Sequence, residues 1–128
     1  MLNIERIKTQ GALEDILDLS MERLVFLFKH STACPVSARA YGEYQDFAAS
    51  LKEDTPLRCG LVLVIEDRSL SDCLSLKLGV KHESPQLLLV SDRKAIWHAS
   101  HYRLTKDSME RILKSNLRKC SGVLVRAV

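Results

Sequence analysis

The sequence predicts an α/β fold, a central mixed sheet with helices on both faces. Two observations carry this. The runs LVFLF (24–28), LVLVI (61–65) and QLLLV (86–90) are apolar at every position, as strands covered on both sides are. Between them, apolar residues recur at spacings of three and four, the pattern of amphipathic helices. The order read from these patterns is β-α-β-α-β-α-β-β-α.

LNIERI at the N-terminus reads as a weak edge strand, and Leu13, Ile16 and Leu17 form a short helical stripe after Gly11. LVFLF is the first central strand. From Pro35 onward, Val36, Ala40, Tyr44, Phe47, Ala48 and Leu51 line one face of a long helix. LVLVI is the next strand, with Cys59 and Gly60 just before it. Leu70, Cys73, Leu74 and Leu78 repeat the helical pattern, with Ser69 as its N-cap and Gly79 as its stop. QLLLV and KAIWHAS (94–100) form an antiparallel hairpin across SDRK, although Asp-Arg is not a favoured two-residue turn. The last helix carries Met109, Ile112, Leu113, Leu117 and Cys120. Thr105 is its N-cap, and Lys114, Arg118 and Lys119 suit the negative end of its dipole. With no repeat, low-complexity stretch or linker, 1–128 is expected to be one domain.

Composition narrows the function. The net charge of +3 comes from acidic and basic residues interleaved along the chain, which argues against nucleic acid. MLNIERIKTQ carries charges where a signal peptide needs an apolar stretch, and no apolar run approaches the roughly 20 residues of a membrane span. A cytoplasmic, reducing setting follows, in which Cys34, Cys59, Cys73 and Cys120 are thiols. They show no C-x-x-C spacing, and His98 and His101 fall on opposite faces of a strand, so no metal site is expected.

The chemistry points to KHSTACPVS (29–37), where a buried strand gives way to a helix. Pro35 suits the first helical position, which makes Cys34 the N-cap. There the free amides of Val36 and Ser37 are expected to point at the sulfur, and the helix dipole favours a thiolate. Lys29 and His30, just upstream, are candidate cations, and the Ser37 hydroxyl a candidate donor to the sulfur. Ser84-Pro85 opens the strand QLLLV at the place where a cis-proline would face that thiol. Cys73 and Cys120 fall on apolar stripes and read as packing residues, as does Trp97. Cys59 is the less constrained candidate for a resolving thiol.

The succession of strand, CPVS, helix, a second βα unit and a Ser-Pro strand in a hairpin resembles the thioredoxin-like superfamily along nearly the whole chain. More narrowly, FKHSTACPVSARA resembles the active-site segment of the bacilliredoxin (YtxJ-like) family. Lys29, His30, Ser31, Cys34, Pro35 and Ser37 carry the resemblance, with Val36 a conservative change. The resemblance implies a cytoplasmic monothiol thiol-disulfide oxidoreductase that removes bacillithiol from mixed disulfides on client proteins. Cys34 would be its nucleophile and Pro85 its cis-proline, and Val36, Ser84 and Pro85 would border the substrate. Bacillithiol would be a co-substrate, with no bound cofactor, and a monomer is expected. Two rivals stand beside this. A monothiol glutaredoxin-like iron–sulfur or glutathione-linked protein would carry Gly-Phe where this chain has Pro-Val. A non-catalytic thioredoxin-like adaptor would need no reactive thiol.

Overall fold

The computed structural model describes residues 1–127, with the side chains of 1–117. The elements are β1 (Ile4–Arg6), α1 (Gln10–Leu19), β2 (Leu24–His30), α2 (Pro35–Ser50), β3 (Leu57–Leu63), α3 (Arg68–Leu78), β4 (Gln86–Ser91), β5 (Lys94–Ser100), a 3-10 turn (His101–Arg103) and α4 (Lys106–Ala127). Their order is the one the sequence predicts. The strands form one mixed sheet, β1-β3-β2-β4-β5. β3 runs parallel to β1 and β2, whereas β4 is antiparallel to β2 and β5 to β4.

All seven residues of β2 are buried because its two faces feed two separate cores. Phe26 and Phe28 join Tyr44, Phe47, Leu89, Met109 and Leu113 on the α2–α4 side. Val25 and Leu27 join Ile16, Leu17, Val62, Leu70 and Leu74 on the α1–α3 side. Continuous apolarity along a strand is thus alternation between two covered faces. Gly60 has a packing reason on the second face, where an added Cβ would lie 2.7 Å from Leu27 Cδ2.

Several boundaries differ from expectation. β3 starts at Leu57 and ends at Leu63, so Cys59 and Gly60 lie inside it, while Ile65 is outside and exposed. Arg58 hid that start from an apolar-run reading; it is exposed, and its guanidinium meets Glu5 at 3.4 Å. α3 is preceded by Asp67, not Ser69, and the Asp67 carboxylate pairs with Arg6 instead of capping the helix. Gly79 ends it in the left-handed region at φ 65°, as expected. Thr105 caps α4: its Oγ1 accepts from Ser108 N–H at 3.1 Å, and Ser108 Oγ accepts from Thr105 N–H at 3.2 Å.

The β4–β5 hairpin forms on an unfavourable pair of residues. Asp92 (φ 53°) and Arg93 (φ 61°) both occupy the left-handed region that a tight hairpin turn requires. Side chains of this kind adopt it at some cost, and α1 supplies the compensation. The carbonyl of Ser20 accepts from Asp92 N–H at 2.9 Å, and its buried hydroxyl accepts from Arg93 N–H at 2.8 Å. Arg93 also ion-pairs with Glu14 and Asp18. Ser20→Ala leaves the Arg93 N–H without its acceptor, and we expect it to cost about 1–3 kcal/mol in a urea titration. A change below the error of such a titration would show that the turn holds itself.

Among the described residues, no helix is long and apolar enough to cross a membrane.

Candidate active site

The site is built where β2 stops. After His30 the chain turns, with Cys34 N–H donating to Ser31 C=O at 3.3 Å, and α2 begins with Ala38 N–H donating to Cys34 C=O at 3.0 Å. Cys34 is the N-cap, with extended dihedrals (φ −115°, ψ 122°), and Pro35 occupies the first turn. Its thiol is half-buried, beside exposed Pro35 and half-buried Val36. The expected bonds from the first-turn amides to the sulfur are not made, because the side chain forms no cap hydrogen bond. The first turn contains no acidic residue, so no carboxylate offsets the positive end of the helix there.

Ser37 does not donate to the sulfur either. It is fully buried, and its Oγ accepts from Ser31 N–H at 2.9 Å and lies 2.7 Å from His30 Nδ1. The hydroxyl therefore ties the loop before Cys34 to the first turn of α2. The His30 ring stacks on Tyr41 with centroids 4.7 Å apart. Burial lowers its pKa, against a smaller opposing pull from Glu66. A neutral ring accepting the Ser37 hydroxyl at Nδ1 satisfies all three groups. His30 is thus a neutral scaffold for the loop rather than the cation expected from the sequence. Thr32 adds a further tie, with its hydroxyl donating to Glu66 at 3.0 Å.

Lys29 points the other way. Successive strand residues face opposite sides, so it leaves the sheet toward α3 while His30 faces α2. Its ammonium is fully buried and donates to Ser75 Oγ, with His82 Nδ1 at 3.2 Å. These partners replace the thiol that the sequence suggested for it.

On the neighbouring strand, Gln86 pairs with Lys29, which brings Ser84-Pro85 beside the end of β2. That peptide bond is cis. Pro85 is buried, its carbonyl accepts from His101 N–H at 3.2 Å, and the buried Ser84 Oγ has no partner among the described residues. Beyond His101, Arg39 of α2 bonds the His101 carbonyl at 3.2 Å and lies 5.9 Å from the Tyr102 ring centroid. The topology therefore gathers the Cys34 turn and the cis-proline strand at one edge of the sheet. Ligand groups collect at such an edge.

Residues 5–109 match the family model of the monothiol bacilliredoxin BrxC. The chain belongs to this bacilliredoxin family. Its matched stretch includes both Cys34 and Pro85, and membership places the protein among thiol-redox proteins. Solved structures agree on the thioredoxin fold. One described as a candidate oxidoreductase with a thioredoxin fold is 27% identical, covers 84% of this chain and 91% of its own, and has a TM-score of 0.72. Thioredoxin from Malassezia sympodialis is 9% identical, with coverages of 90% and 91% and a TM-score of 0.71. A variant thioredoxin from Halobacterium salinarum gives 16%, 88% and 89%, and 0.66.

The other described cysteines stand apart from the Cys34 turn. Cys59 is buried at 1% exposure and pairs in register with Phe26, four residues before His30. Four strand residues span roughly 13 Å, well beyond the roughly 7 Å between Cα atoms that a disulfide allows. α2 gives the same measure: Tyr44, whose hydroxyl donates to the carbonyl of Gly60 next to Cys59 at 3.0 Å, lies nine residues along from Pro35, or about 13 Å at 1.5 Å per residue. Burial also holds its thiol protonated, with a pKa of about 11. Its candidacy as a resolving thiol does not fit this position. Cys73 is half-buried and packs against the α1–α3 core. Cys120 lies outside the described side chains. Trp97 meets Phe26 edge-on at 6.3 Å, as a packing residue does.

The sequence reading missed His82, Ser75, Gln86 and Tyr41 as partners of the site. The strand period would have found the first three, by sending Lys29 toward α3.

The buried ammonium makes a testable pH signature. Burial lowers the Lys29 pKa from 10.5 to about 8, against a smaller opposing pull from Asp72. Between these values the unfolded chain holds the proton and the folded chain does not, so this group raises stability as pH rises from about 8 to 10.5. Cys59, pushed up to about 11 from 9.0, acts in the opposite sense at the upper end of that window. The comparison must therefore be with Lys29→Met, in which Cys59 is unchanged. We expect the variant to be more stable than wild type by about 1–3 kcal/mol at pH 7. That advantage should shrink steadily in urea titrations between pH 8 and 10.5. A constant gap would mean that Lys29 is not buried as a charge.

Proposed function

We propose that the protein is a monothiol thiol-disulfide oxidoreductase that removes bacillithiol from client proteins through Cys34. The observation that carries this reading is the commitment of Ser37. Dithiol thioredoxins have their second cysteine at this position, three residues after the first; here the side chain is buried and bonded to His30 and Ser31. The half-buried Cys34 is left without a sulfur partner one helical turn away. Family membership supports bacillithiol as the small thiol.

The steps balance without a bound cofactor. The Cys34 thiolate attacks the bacillithiol sulfur of a client's mixed disulfide. A disulfide forms between Cys34 and bacillithiol, the old S–S bond breaks, and the client leaves as a thiolate that takes a proton from solvent. A second bacillithiol attacks the new disulfide, which returns Cys34 and releases oxidised bacillithiol. At both stages the reacting sulfur stands at the N-terminus of α2, whose first turn carries no acidic residue. Val36 and the Ser84-Pro85 strand end border the approach, where an extended client segment would lie.

We place this reaction in the cytoplasm, with residues 1–128 acting as one monomeric domain on S-thiolated proteins. The test mixes reduced protein with clients carrying either a bacillithiol or a glutathione mixed disulfide, followed by peptide mass spectrometry. One bacillithiol mass on Cys34, with free client thiol, supports the proposal. Transfer of glutathione alone would assign the chemistry to a glutaredoxin-like role. An unmodified Cys34 with both clients would favour an adaptor.

A further inference from the structure

We propose that Lys29 is a positioning residue for the substrate wall, its ammonium fixing the segment 82–85 through His82. The inference rests on the reading of Cys34 and Ser84-Pro85 as the reacting pair.

The segment between α3 and β4 has little to hold it except side chains. No regular element covers it. Val80 N–H donates to Ser75 C=O, but from Lys81 to Ser84 no backbone amide donates to a backbone carbonyl among the described residues. Two side chains from the sheet below reach it instead. Gln86 Nε2 donates to the Lys81 carbonyl at 3.0 Å, and Lys29 Nζ stands 3.2 Å from His82 Nδ1. Lys29 and Gln86 are register partners on adjacent strands, so both leave the sheet on the same face. They grip successive residues, 81 and 82, just ahead of the cis bond at Ser84-Pro85.

The second bond of the ammonium anchors this grip to the rest of the fold. Ser75 Oγ accepts from Lys29 and donates to Ser71 C=O at 3.3 Å, which joins β2, α3 and the segment through one nitrogen. Among the described residues, Gln86 Oε1 is a buried acceptor without a partner, on the same sheet face as Lys29. An apolar residue would fill the same space without burying a charge, so packing alone does not call for a lysine. What the ammonium adds is direction, with one donor toward α3 and another toward the segment that carries the wall.

The test uses Lys29→Met and His82→Ala in the full chain. His82 is only half-buried, so its replacement does not depend on the core accommodating a new side chain. For a client mixed disulfide, both variants should raise KM about tenfold with kcat changed less than about threefold, and the double variant should be no worse than either. Alkylation of Cys34 by iodoacetamide, which needs no wall, should stay within about twofold of wild type. If alkylation falls in step with transfer, Lys29 acts on the sulfur and the proposal is overturned; an unchanged KM overturns it too. A substrate-free measurement separates this idea from the function it rests on. Backbone 15N order parameters for residues 81–84 should drop from about 0.85 to below about 0.6 in both variants. Unchanged order parameters overturn the proposal even where transfer is slowed. If wild type transfers nothing, the functional reading fails and the order parameters alone decide whether Lys29 holds the segment.

Discussion

Replacing Cys34 by serine should leave a folded protein that accepts no small thiol. Oxygen in place of sulfur is a far weaker nucleophile toward disulfides at neutral pH, and no other described thiol can substitute. Cys59 is sealed in the core with its thiol pushed up to about 11, and Cys73 sits on α3 against the opposite core. We expect transfer from a bacillithiol-carrying client to fall by on the order of a thousandfold or more. Because Cys34 is half-buried and its thiol makes no cap hydrogen bond, stability should change by less than about 1 kcal/mol. Peptide mass spectrometry of the quenched reaction reads the first quantity and a urea titration the second. A variant that still releases free client thiol would transfer the nucleophile to another cysteine, and the monothiol mechanism through Cys34 would fall.

Ser37→Cys should change the kind of product rather than the amount. The position lies three residues after Cys34 on the first turn of α2, the spacing that brings two thiols within disulfide reach. The transferred bacillithiol would then be expelled by the introduced sulfur, and the protein would lose two hydrogens instead of gaining a small-thiol mass. The substitution also disturbs the loop. A thiol is a weak, long acceptor, so Ser31 N–H and His30 Nδ1 lose the hydroxyl that served both at 2.9 and 2.7 Å. We expect a stability loss of about 1–3 kcal/mol alongside the new disulfide. Retention of the bacillithiol mass on Cys34 would show that the burial of position 37, and not its chemistry, is what keeps the site monothiol.

The fold was legible because its strands announce themselves. LVFLF, LVLVI and QLLLV are apolar throughout, and a strand covered on both faces leaves no other pattern. The edges of elements were harder. Arg58 broke the apolar reading at the start of β3, although its exposed side chain merely meets Glu5 across β1. Ser69 looked like a cap because its hydroxyl is suited to one, but the chain enters α3 at Asp67, whose carboxylate is engaged by Arg6.

At the site, residue types were legible and directions were not. Cys34, Pro35 and the Ser84-Pro85 bond stand where the sequence put them. Lys29 and His30 were grouped as neighbours of the sulfur, yet adjacent strand residues cannot share a face, and the two serve different helices. The partners of Ser37 were hidden for a different reason. A hydroxyl in the first turn can bond forward, backward or to solvent, and only the packing of Tyr41 against His30 brings the imidazole within reach.

The Ser20 contacts of the β4–β5 turn bear on the order in which the chain assembles. A turn of Asp92 and Arg93 offers little local preference for closing, so the C-terminal hairpin gains its register from residues more than seventy positions earlier. During synthesis those residues emerge first, and the β1-α1-β2-α2-β3 portion, in which β3 pairs with both β1 and β2, can be in place before residue 92 leaves the ribosome. The hairpin then docks along β2 ahead of α4, and with it arrives the Ser84-Pro85 strand end beside the end of β2. The Ser84-Pro85 strand end thus joins the sheet through a hairpin whose turn does little by itself to close, and which leans on α1 instead.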